Sequence, residues 1–146
     1  MAYDSHFKKR NFEDKPKLES NAQPLKSDWI LDGINQEAVS WSQKFAEYLS
    51  PKSDFKGALT TSQLRKFFGQ LKRIEADFEK LKSEIPLLKP KLAYAVGRAE
   101  KGNRIVDFYI QMETALNALD NSKNTFNNLI NLTESIVAFH KFYGGK

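Results

Sequence analysis

Seven cations form the pattern in this chain that most suggests a ligand. Arg65, Lys66, Lys72 and Arg73 lie in GALTTSQLRKFFGQLKRIE (57–75), and Lys91, Arg98 and Lys101 lie in LLKPKLAYAVGRAEKG (87–102). At about 100° per residue the first four fall on an arc opposite Leu64, Phe67, Phe68, Leu71, Ile74 and Phe78. The other three share a face with Tyr94, opposite Leu92, Ala95, Val96 and Ala99. Arginine bridges phosphate oxygens with two parallel hydrogen bonds, and lysine acts as a point charge. An aromatic ring among them offers a stacking surface for a base or sugar. Backbone donors at a helix start near Thr60, Thr61 and Ser62 would add to an anion site. Two such faces side by side would make a groove for a ribose-phosphate strand. The same residues also read as ordinary solvated faces, with Tyr94 packed on Arg98 and Thr60 serving only as a cap.

Other chemistry is poorly supplied. The chain has two histidines and no cysteine. His6 falls in a polar N-terminal stretch. His140 projects to the apolar side of the last helix and reads as a satisfied histidine at the core edge. Glu75, Asp77 and Glu79 stand two apart, so on a helix they do not face each other as an acid/base pair. No HExxH, P-loop or GxGxxG motif occurs. The residues therefore suggest no catalytic site, no metal site and no cofactor, and they argue against an enzyme. No apolar run approaches the roughly 20 residues that span a bilayer, and the N-terminus lacks a signal core. A cytoplasmic protein without a membrane partner is expected. The NLT sequon at Asn131 reads as chance.

The elements that must position the cations are all helical. Residues 1–27 are polar, hold Pro16 and Pro24, and are expected to be a flexible tail. Residues 28–146 are expected to form one helical bundle domain. Its first helix should start near Asp28 or Asp32 and end at Ser50, burying Ile34, Ala38, Trp41, Phe45 and Tyr48. The second should start at a capping box of Thr60 and Gln63, with Leu59 and Leu64 as a hydrophobic staple, and stop before Pro86. The third should begin between Pro86 and Pro90 and close at Gly102. The fourth should span 103–119. The fifth should start from a cap at Ser122 or Asn124 and reach Tyr143. No segment alternates with period two, so the fold class expected is all-α, a single five-helix bundle with a flexible N-terminal tail.

Charge is unevenly spread along these elements. The net charge is +5, and residues 52–104 hold thirteen basic and six acidic side chains. A local excess of this size suits a polyanionic partner, although it also serves solubility. A helix-turn-helix reader of DNA is a weaker fit. The loop from Pro51 to Leu59 is too long for its turn of roughly 3–4 residues.

Three blocks in order, GALTTSQLRKFFGQLKRIE, LLKPKLAYAVGRAEKG and ESIVAFHKFYGG (134–145), resemble the small-subunit family of type III-A CRISPR effector (Csm) complexes. The resemblance implies an all-helical protein without activity of its own, acting in antiviral defence. It implies several copies beside the guide-RNA-binding subunits, helping to hold guide RNA paired with target RNA. It places RNA contacts at Arg65 and Lys66 in the first block and at Lys91 and Arg98 in the second. The helical wheel extends the set to Lys72, Arg73 and Lys101. Such contacts read no bases, because pairing between guide and target supplies sequence choice. The alternative is a protein–protein spacer whose basic face meets acidic subunit surfaces.

Overall fold

The computed structural model describes residues 23–51 and 57–145. His6 and the Lys8–Lys9–Arg10 cluster lie outside the described residues, as does most of the expected tail. The elements are α1 (Asp28–Leu31), α2 (Gln36–Leu49), α3 (Thr61–Ala76), α4 (Phe78–Leu81), a 3-10 segment (Lys82–Leu87), α5 (Leu88–Arg98), α6 (Ile105–Asn117) and α7 (Lys123–Phe142). No strand occurs among the described residues.

The α7 helix is the axis of the bundle. Its 20 residues extend about 30 Å. Helices α1, α2 and α3 pack on it, while α5 packs on α6. Along α7, Phe126, Leu129, Ile130, Leu132, Thr133, Ile136 and His140 are all buried. They meet Trp41, Phe45 and Leu49 of α2 and Leu64, Phe67, Leu71 and Ile74 of α3 in one continuous core. Fully burying each large apolar side chain contributes roughly 1.5–3 kcal/mol, which supplies the drive for the bundle. Aromatic rings interlock within it. Trp41 stacks on Phe45 at 4.9 Å, Phe67 meets Phe108 edge-on at 5.4 Å, and Phe78 lies 5.6 Å from Phe126.

The all-α class holds, but five helices is not the full count. Among the described residues, five helices of at least eleven residues are accompanied by the short helices α1 and α4 and by the 3-10 segment. The first expected helix divides because Gly33 takes φ +115°, a left-handed conformation open to glycine. Asn35 then caps α2 by accepting from the Ala38 amide at 2.9 Å. The second expected helix breaks at Asp77 (φ −146°, ψ 63°) and passes through α4 into the 3-10 segment that holds Pro86. The break lets Phe78 enter the core beside Phe126. The third helix ends at Arg98, before the expected Gly102.

Residues 23–26, placed by sequence in the tail, run over the core. Leu25 is buried and its amide donates to Gln111 Oε1 at 2.7 Å. The Trp41 indole donates to the Gln23 carbonyl at 2.6 Å. No helix among the described residues is long and apolar enough to cross a membrane.

Candidate nucleic-acid interface

Helix α3 is fixed at its start by local chemistry. Thr60 Oγ1 accepts from the Gln63 amide at 3.0 Å, and Gln63 Oε1 accepts from the Thr60 amide at 2.9 Å. Two otherwise orphaned donors are thereby satisfied at once. Leu59 and Leu64, on either side of the cap, are both buried.

The lead-in to that cap is held from three directions. The Leu59 amide donates to the Leu49 carbonyl at the end of α2, and the Arg104 amide donates to the Gly57 carbonyl, each at 2.8 Å. His140, near the end of α7, is buried with Nε2 2.7 Å from the Leu59 carbonyl oxygen. A carbonyl only accepts, so Nε2 carries the proton. Burial pushes the imidazole below its usual 6.5, while the Leu59 carbonyl acts in the opposite sense. His140 is thus a satisfied histidine set deeper in the core than its sequence position suggested.

Helices α3 and α5 enclose a groove of about 790 Å³. Thr60, Ser62 and Gln63 stand at its head, and Phe67, Leu92 and Ile105 form an apolar floor. Lys66 comes from the α3 side, and Lys91, Tyr94 and Arg98 come from α5. Tyr94 is 68% exposed, and the Arg98 guanidinium sits 5.7 Å from its ring centroid. Arg98 already lies over the ring, so the two side chains present one cationic and aromatic surface to the groove.

The seven cations of the sequence divide into groups. Lys66, Lys91 and Arg98 line the groove, and Arg65, Lys72, Arg73 and Lys101 do not. Lys66 and Arg73 are seven apart and so lie on the same side of α3, but Arg73 is drawn into an ion pair with Glu84 of the 3-10 segment. Arg65 and Lys72 occupy a different side. Lys72 Nζ lies 2.7 Å from Glu75, whose carboxylate holds the lysine above its ordinary range, with a smaller contribution from Glu134 of α7. Lys101 is exposed in the turn after α5. Among the described residues, Arg65, Lys66, Lys91, Arg98 and Lys101 form no ion pair.

Sequence reasoning missed two features of the site. Ser62, Lys66 and Gln70 recur every four residues and all line the groove, so the i, i+4 spacing around Lys66 was the available signal. Arg104 had no role assigned. Its guanidinium lies 3.8 Å from the Tyr48 ring centroid and donates to the Tyr48 carbonyl, and the Tyr48 hydroxyl donates to Asp107 at 2.8 Å. No local motif announces this, because Tyr48 and Arg104 come from distant parts of the chain.

A family model described as Csm2 Type III-A matches residues 35–146. No curated protein and no solved structure matches the chain. The matched region contains α2 through α7, and so both walls of the groove and the core that supports them. The chain belongs to the Csm2 type III-A family and is a small subunit of the multi-subunit type III-A Csm complex.

Proposed function

We propose that this subunit binds RNA without catalysing a reaction of its own, as part of the effector's role in antiviral defence in the cytoplasm. Several copies hold the guide–target RNA duplex through phosphate contacts that do not depend on sequence. The observation that carries this reading is the convergence of Lys66, Lys91 and Arg98 on one groove between α3 and α5. Three cations from two helices give a track of positive charge, and Tyr94 adds a surface for a sugar or base. Arg65 and Lys101 extend the contact from neighbouring exposed positions. Lys72 and Arg73 contribute less, because Glu75 and Glu84 already occupy them. A weak contact repeated by several copies gains avidity without any single tight site.

Charge reversal at Lys66 and Arg98 tests the reading. The double variant should keep its far-UV circular dichroism while its affinity for RNA falls. The log–log dependence of affinity on salt should flatten by roughly 0.7–0.9 for each phosphate left without its cation. A folded double variant with unchanged affinity and slope would sink the assignment.

A second reading is a protein–protein spacer without direct RNA contact. The apolar floor of Phe67, Leu92 and Ile105 favours it, since phosphates make no use of such a surface. Reconstitution separates the two. If the same charge reversals abolish assembly before target RNA is added, the spacer reading holds.

A further inference from the structure

The lead-in to α3 is tied to three other elements, two of which, α2 and α7, do not line the groove. Between Gly57 and Thr60 the chain makes three backbone attachments, to the end of α2, to the start of α6 and to the end of α7. One of these is made by a side chain, and another by the backbone of Arg104, a residue whose own side chain is anchored. His140 Nε2–H is the donor to the Leu59 carbonyl, and Leu59 is only 1% exposed, so no solvent stands ready to replace it. Arg104 donates its amide to the Gly57 carbonyl, while its guanidinium is fixed on the ring and carbonyl of Tyr48.

The imidazole is itself held. The Gly145 amide donates to the His140 carbonyl at 2.9 Å, and a side-chain carbon at Gly145 would collide with the ring. The glycine thus permits a close backbone cover over the Nδ1 edge. The chain of direct attachments runs from this C-terminal glycine through His140 and Leu59 to the Thr60–Gln63 cap.

We infer that His140 and Arg104 are positioning residues for the groove, setting its α3 wall through the Gly57–Thr60 lead-in. Neither lines the groove. Their effect runs through the placement of Thr60, Ser62, Gln63 and Lys66. What the groove holds rests on the RNA reading above; the pinning of its wall does not.

Amide exchange in the full-length free protein tests the pin, and RNA affinity tests its consequence. His140→Leu leaves the buried Leu59 carbonyl without a donor, whereas His140→Gln supplies an amide N–H of similar reach. In His140→Leu the amides of Leu59, Gln63 and Leu64 should exchange about tenfold or more faster, with those of Phe108 to Met112 in α6 changing far less. His140→Gln should restore slow exchange, and RNA affinity should fall and recover in parallel. Arg104→Met should show the same local pattern, and it decides the matter if His140→Leu does not fold. Exchange that rises equally throughout, or not at all, would overturn the inference. So would local loosening with RNA affinity unchanged in a protein that binds RNA. If the native protein binds no RNA, the functional reading fails, and the exchange pattern alone decides the pin.

Discussion

Lys72 and Glu75 close an ion pair at 2.7 Å along one turn of α3. Lys66, six residues earlier, forms no ion pair among the described residues and lines the groove. Two lysines of the same helix therefore differ in what they can give an anion. A phosphate at Lys72 must compete with a carboxylate already in place.

That difference predicts unequal effects of alanine substitution. Lys66→Ala or Arg98→Ala should each weaken RNA binding and lower the salt slope by roughly 0.7–0.9. Lys72→Ala and Arg73→Ala should change the slope by clearly less. Fluorescence anisotropy with a labelled RNA across a salt series measures all four.

The capping box predicts a stability effect at the head of the groove. Thr60→Ala removes the acceptor for the Gln63 amide and should cost about 0.5–2 kcal/mol. Urea unfolding should show a lower midpoint with little change in slope. Ser122→Ala, which removes the acceptor for the Thr125 amide at 3.1 Å, should behave alike at the start of α7.

His140 predicts how stability responds to acid. Its folded pKa lies below 6.5, so the unfolded chain binds the proton more tightly. The stabilising contribution is complete above about pH 6.5 and is lost as pH falls from there through the folded value, with a slope of at most about 1.4 kcal/mol per pH unit. His140→Gln should flatten that part of the curve. Glu37, held low chiefly by its hydrogen bond from Lys26, and Asp120, held low by Ser122 and Thr125, act in a more acidic window. Their contributions are present above their ordinary 4.5 and 3.8 and are lost as pH falls through the folded values. Urea midpoints measured from about pH 8 down to about pH 2 separate the two windows.

Phe126 predicts the largest single loss. It is completely buried at the start of α7 and lies 5.6 Å from Phe78. Phe126→Ala should cost about 3–5 kcal/mol through reduced burial and the cavity left behind. Against a total stability of about 5–15 kcal/mol, thermal unfolding monitored by circular dichroism should shift by many degrees.

Much of the fold was legible because its signals are local. The Thr60–Gln63 box, the Ser122 cap and the stripes of α3 and α7 need only neighbours within one or two turns. The breaks were less visible. A lone glycine at position 33 is compatible with either one helix or two, and burial of Trp29 and Ile30 against α7 gives α1 its own direction. Asp77 is a residue type that suits a cap, but no Gly or Pro stands beside it, and the packing of Phe78 on Phe126 accompanies the end of α3 there. The groove was legible as two basic faces but not as a single site. Which cations converge depends on how α5 lies against α3, and the pairing of Arg73 with Glu84 spans eleven residues across an unforeseen bend.

The short segment ahead of α1, residues 23–26, has a practical corollary. A cut or fusion placed before Gln23 leaves both of its attachments whole. Removing residues through Leu25 would strand the Trp41 indole N–H and the Gln111 side-chain oxygen and unroof the hydrophobic interior beneath them. A fragment that keeps both attachments therefore begins no later than Gln23, at the hem stitched to Trp41 and Gln111.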